Sequence, residues 1–219
     1  MAKALTTPML ALTLLVSCHA ADFSEYTYHL RVVKIGFVEH GTAVAVQAEG
    51  FGHFILTANH CVKDSETAEL SNKDTTVTAK VVFRDAEMDF AILKADVPKY
   101  AALANSDLKI GMALTFCHYP RGKGPKTTSG SVVSIKDGNI NYFAHADEFY
   151  HGSSGCPVFS RKDVVVGIAL AGMGVNGVMV EGEALFLPSK RIFQSIKAYI
   201  DAKALLAVKA VVIDLDEKF

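Results

Sequence analysis

Ile55-Leu-Thr-Ala-Asn-His-Cys61 carries an apolar, β-prone run straight into a histidine, with small residues just before it. Such a stretch reads as a buried strand that delivers His60 into a tight turn at its end. A histidine alone in that setting is most often a surface or satisfied core residue. Two further stretches give it company. Met88-Asp-Phe-Ala-Ile-Leu93 opens a buried strand with Asp89, and Tyr150-His-Gly-Ser-Ser-Gly-Cys-Pro157 is a glycine-rich turn that contains Ser154. Taken singly, each of these is an ordinary turn.

Outward from these stretches the chain is a series of short β-prone runs. Tyr28 to Ile35, Thr42 to Val46, His53 to Leu56, Thr75 to Phe83 and Phe90 to Leu93 come first. After a looser link at Lys94 to Lys109 the series resumes with Met112 to Cys117, Ser129 to Ile135, Ile140 to Ala144, Pro157 to Ser160 and Val164 to Ala171. Turn-forming residues separate the runs, with Asp85 to Glu87 and Asp137 to Asn139 read as hairpin turns. Many short strands at regular spacing predict closed or sandwiched antiparallel sheets. One element differs: Pro188 to Leu206 places Ile192, Phe193, Ile196, Tyr199 and Ile200 at helical spacing, with Pro188-Ser189 in starting position. The expected organisation is a leader over 1–20, one β unit over 21–105, a second over 106–187, and a C-terminal helix and tail over 188–219.

The leader reading rests on Met1-Ala-Lys3, an apolar stretch from Ala4 to Val16, and small residues before Ala21. This is the layout of an export signal, too short to cross a bilayer as about 20 residues would. Two cleavage readings are open, with the soluble exported form (secreted or periplasmic) as the expectation and lipid anchoring as the alternative. Cys18-x-Ala20 suits a signal peptidase, while Leu15-Val-Ser-Cys18 resembles a lipobox that would anchor the protein to the envelope through Cys18. A membrane partner is expected only in the lipidated case.

Composition narrows the function further. Of 219 residues 50% are apolar, and the formal charge is −1, so no clustered basic surface points to nucleic acid or to an anionic membrane. The chain has four cysteines, three of them (Cys61, Cys117 and Cys156) beyond the leader, so at most one disulfide forms within it. No C-x-x-C pair is present and the histidines are scattered, which gives no reason to expect a metal site.

In order, the three stretches resemble the trypsin-like serine peptidases. That family carries Thr-Ala-x-His-Cys around its general base, matched by Thr57 to Cys61. It has an Asp before a small apolar strand, matched by Asp89 to Leu93, and Gly-x-Ser-Gly-x-Pro around its nucleophile, matched by Gly152 to Pro157. The resemblance runs from about residue 30 to 200. It implies an all-β fold of two six-stranded antiparallel Greek-key β-barrels packed around a cleft, with a C-terminal α-helix. Within the family the chain looks closest to the HtrA/DegP-type protease domain. Tyr119-Pro120 with Thr127-Thr-Ser-Gly130, and Ala184-Leu-Phe-Leu-Pro-Ser189 running into a helix, are similar to stretches of that branch. Nothing resembling its C-terminal PDZ domain follows.

The resemblance implies His60, Asp89 and Ser154 as a catalytic triad acting on a protein or peptide substrate, without cofactor or metal. The chemistry needs these residue types. A serine hydroxyl is a poor nucleophile until an imidazole takes its proton, and a carboxylate on the other ring nitrogen fixes the tautomer. Gly152 allows a turn in which its own N–H and that of Ser154 converge as an oxyanion hole. The strand Gly167 to Gly172 is expected to pair with substrate, with Ala169, Leu170, Ala171 and Gly172 as its binding residues. Small apolar side chains there favour small or medium apolar substrate residues, although Asp147 and Glu148 could instead supply an acidic pocket floor. Cys156 could pair with Cys117. Cys61 has no partner before it in the mature chain and is expected as a small buried apolar residue. A cysteine-type relative of the fold does not fit, because position 154 is serine. The alternative from another class is a non-catalytic, protease-fold binding protein of the cell envelope.

Overall fold

Tyr28, Leu30 and Val32 are buried along β1 (Thr27–Lys34), while His29, Arg31 and Val33 between them are more exposed. That is the period of two expected of a strand with one face on a core. The pattern belongs to a computed structural model of the chain that describes residues 22–136, 141–146, 149–161, 163–175 and 178–216. The leader and the Asp137 to Asn139 turn lie outside the described residues.

Five more strands follow: β2 (Phe37–Ala48), β3 (Gly52–Ala58), β4 (Thr67–Ser71), β5 (Thr76–Asp85) and β6 (Phe90–Lys94). They pair in the order β1-β4-β5-β6-β3-β2, and β2 returns to β1, which closes a six-stranded barrel. All six pairings are antiparallel. The short β7 (Ala101–Leu103) lies parallel both to β2 and to β12 (Val164–Val175), and so joins the barrel to the strands outside it. Those strands are β8 (Ala113–His118), β9 (Lys126–Lys136), β10 (Asn141–Ala146), β11 (Pro157–Arg161), β12 and β13 (Val178–Pro188). Their pairing order is β12-β11-β8-β9-β10-β13, with β13 also paired to β12. The all-β class expected from the sequence is what the chain adopts.

The single turn α1 (Asn59–Val62) follows β3, and the long α2 (Ser189–Asp216) closes the described chain. Ile192 and Ile196, four residues apart on α2, are both fully buried and share one core cluster with Leu56, Phe90 and Leu93 of the barrel. Phe193 and Tyr199 extend this seam, their rings 6.0 Å from Phe51 and 5.8 Å from Phe83. Each fully buried isoleucine is worth about 1.5–3 kcal/mol, so the helix is held on the barrel by its first turns. A second cluster, with Phe116, Val158, Val166 and Phe186, fills the space among the C-terminal strands.

Cys61, Cys117 and Cys156 are free and buried, so the pairing of Cys117 with Cys156 allowed by the sequence is not made. Burial pushes the Cys117 thiol up to about 11 and Cys156 well above its ordinary value. Both are therefore neutral thiols that pack as small apolar groups, as Cys61 does by its burial.

Candidate active site

The end of β3 and the start of β6 meet because Thr57 to Ala58 pair with Phe90 to Ala91. This brings α1 against Asp89. Cys61 and Val62 turn into the core, which leaves His60 on the outer side of the same helical turn. Asp89 has φ 51°, a left-handed backbone that aspartate tolerates better than most residues. In that conformation it makes three bonds to the turn opposite. Its carbonyl accepts from Asn59 N at 3.0 Å. Its Oδ1 accepts the backbone N–H of His60 at 2.9 Å, and its Oδ2 lies 2.7 Å from His60 Nδ1. The ring is thereby oriented with Nδ1 committed to the carboxylate and Nε2 free to exchange a proton. The hydrogen bond to Asp89, assisted by Cys61, holds His60 above the ordinary imidazole value, with burial opposing.

Two consecutive turns shape this stretch, closed by Ser153 N to Tyr150 O and Cys156 N to Ser153 O, both 3.0 Å, and Ser154 lies in the second. Gly152 and Gly155 have φ 90° and 82°, which only glycine adopts without cost. Gly155 N and Cys156 O are tied to Ala169 at 2.6 and 2.8 Å, so β12 backs the turn from behind. From the barrel side the turn is held by Thr42 on β2. Thr42 N donates to Ser154 O at 2.8 Å, and its hydroxyl donates to Gly152 O at 2.6 Å while accepting Tyr119 N at 3.1 Å. The thiol of Cys61, next to His60, lies 3.8 Å from the same Ser154 carbonyl. The backbone of Ser154 is thus brought to the neighbour of His60. Among the described residues no hydrogen bond joins the Ser154 hydroxyl to the His60 ring, and the N–H groups of Gly152 and Ser154 have no protein acceptor. Catalytic hydrogen bonds are often loose before substrate binds.

Two residues of this region were missed in the sequence. Thr42 reads there as one β-branched strand residue among many. His118 ends β8 fully buried, its Nδ1 2.6 Å from the Ser153 hydroxyl, which also accepts Tyr150 N at 3.3 Å. Its ring stacks on Phe149 at 5.9 Å, and burial holds its pKa down at about 4, so a neutral imidazole supports the turn from within. The only signal was a histidine at the end of an apolar run. Replacing Thr42 with valine keeps the shape but strands the Gly152 carbonyl and the Tyr119 N–H. With about 1–3 kcal/mol for each buried group left unpaired, we expect a loss of about 2–4 kcal/mol in chemical denaturation.

Of the expected substrate-binding residues, Ala169 and Leu170 have buried side chains, each in a core cluster. The backbone of Ala171 and Gly172 pairs with Leu185 and Ala184 of β13, with register shifts on either side. Asp147 and Glu148 lie outside the described residues. No group of three or more metal-ligating side chains occurs among the described residues.

The model of the trypsin-like peptidase domain matches residues 41–168. A probable periplasmic serine endoprotease, DegP-like, of Brucella suis is 29% identical over 174 residues, covering 74% of this chain and 33% of that protein. The chain therefore spans about a third of that relative's length. Among solved structures, the serine endoprotease from Yersinia pestis superposes with TM-score 0.69 at 20% identity, over 81% of this chain and 64% of that one. An HtrA-type protease, AlgW with tripeptide, gives TM-score 0.69 at 22% identity, over 82% and 62%.

Proposed function

The chain belongs to the trypsin-like peptidase domain family, and on that footing we propose that it is a serine endopeptidase with Ser154 as nucleophile, His60 as general base and acid, and Asp89 as the orienting carboxylate. The observation that carries the proposal is the doubly bonded His60–Asp89 pair, with contacts of 2.9 and 2.7 Å, beside a glycine-dependent turn whose serine carbonyl is bonded across to the same barrel. A histidine serving only as packing has no need of a carboxylate fixing both its ring and its backbone.

In the proposed reaction the Ser154 Oγ–H proton passes to His60 Nε2 as Oγ attacks the peptide carbonyl carbon. The resulting oxyanion is held by the N–H groups of Gly152 and Ser154. His60 then returns the proton to the departing amine, leaving an ester on Ser154. Water, deprotonated by His60, cleaves that ester and restores the hydroxyl. Substrate lies along β12: on the side opposite β13 its strand pairing with β11 ends at Ile168, and beyond Ala169 no described strand covers that edge. An extended peptide can add there as a strand through Ala171 and Gly172, with Ala169 and Leu170 shaping the site from the core. The leader motif, with the periplasmic description of the DegP-like relative, supports action outside the cytoplasm. No helix among the described residues is long and apolar enough to cross a membrane.

The pH dependence tests the proposed roles. His60 must be neutral to accept the serine proton, and Asp89 raises its pKa. The ascending limb of kcat/KM against pH is therefore expected on the alkaline side of the ordinary imidazole value of about 6.5. Asp89→Asn removes the main cause, so the limb moves down in pH while the plateau falls by about 10⁴-fold, the histidine tautomer being wrong. A limb that does not move between wild type and Asp89→Asn would remove Asp89 from its role.

A further inference from the structure

Beside the turn that carries Ser154 lies a cavity of about 440 Å³, lined by Arg121, Lys123 and Lys126 together with Pro120, Pro125 and Tyr150. Among the described residues its wall contains no carboxylate. The Arg121 guanidinium lies over the Tyr150 ring at 5.0 Å, which holds the cation at the cavity while leaving its N–H edge available. The Arg121 backbone is left-handed, with φ 55°, and its N–H donates to His151 O at 2.6 Å. A Cβ added to Gly152 would lie 2.9 Å from that same nitrogen. The cationic turn and the serine turn are therefore pressed backbone to backbone, and Tyr150 belongs to both.

We infer that this cavity is a subsite for an acidic side chain of the substrate, held by Arg121 and Lys123 a few residues from the scissile bond. The inference rests on the peptidase reading. Its chemistry follows from the lining: a guanidinium fork suits the two oxygens of a carboxylate, and an ammonium adds a second charge. An extended peptide advances about 3.3 Å per residue, so the substrate position that prefers an acidic side chain reports how far the cavity lies from the scissile bond.

The test is a peptide series in which one Glu or Gln is moved through the four positions on either side of the scissile bond. Wild type is compared with the double variant Arg121→Gln, Lys123→Gln, whose thermal midpoint is checked first. At one position Glu is expected to exceed Gln by about fivefold in kcat/KM at low salt, an advantage that fades towards 1 M salt. In the double variant the Glu/Gln ratio falls to about one. Equal rates for Glu and Gln at every position in wild type, with active-site labelling intact, would sink the subsite alone, as would a preference that survives in the double variant. A preference that vanishes when the peptide C-terminus is amidated would reassign the cavity to a chain terminus and overturn the side-chain assignment. Absence of both labelling and cleavage would take the peptidase reading down, and the subsite with it.

Discussion

Ser154→Ala is expected to lower kcat for peptide hydrolysis by at least about 10⁴-fold while leaving the thermal midpoint within a few degrees of wild type. The size of the loss follows from the proposed chemistry: without Oγ no acyl-enzyme forms, and only the oxyanion donors and substrate binding remain to accelerate attack by water. The small effect on stability follows from what Ser154 gives the fold. Its structural bonds are made by its carbonyl, to Thr42 N and the Cys61 thiol, and alanine keeps the carbonyl. Ser153→Ala is the contrasting control. Its hydroxyl is fully buried and bonded to His118, so its loss destabilises the turn, by about 1–3 kcal/mol, rather than removing the nucleophile. If Ser153→Ala abolished covalent chemistry and Ser154→Ala did not, the nucleophile would have been assigned to the wrong serine.

Gly155→Ala is the second large effect and acts on assembly. At φ 82° an alanine is already strained. Its Cβ would also overlap Thr42 O and Thr57 Oγ1, the two ends of a hydrogen bond, and come 2.9 Å from Ala58 N. All three neighbours belong to the barrel, so relief requires the turn to withdraw from it and the Thr42–Ser154 bond to open. We expect a loss of at least about 3 kcal/mol in stability, with the remaining folded protein strongly impaired, since the serine would no longer sit beside α1. Denaturation curves together with activity per folded molecule check this. A variant of wild-type stability would mean that the turn does not press on the barrel as described.

These two effects show which parts of the site could be read from sequence. His60, Asp89 and Ser154, the residues of the proposed triad, were singled out because each stands in a short local pattern whose glycines, small residues and flanking strands are set by neighbours in the chain. Thr42 was not, because what distinguishes it is a hydroxyl bond to a residue 110 positions away, and nothing around it differs from an ordinary strand. His118 was hidden for the same reason, with its partner Ser153 35 positions off. The strands follow a similar division. β2, β3 and β6 are rich in apolar and β-branched residues and could be read directly. β4, Thr67–Ser71, buries only Ala68 and Leu70, and β7 has three residues inside what reads as a link. Both exist because neighbouring strands supply their hydrogen bonds. The stretch ending at Pro188 was read for its approach to the helix, whereas it is the long β13, paired with both β10 and β12.

The most direct test of the central claim is labelling of the folded protein with a fluorophosphonate, followed by mapping of the modified residue. The account predicts one adduct, on Ser154, formed by wild type and absent from both Ser154→Ala and His60→Ala. A folded wild-type protein that takes up no label, or one labelled equally well without His60, would contradict an activated Ser154 and return the chain to the class of protease-fold binding proteins.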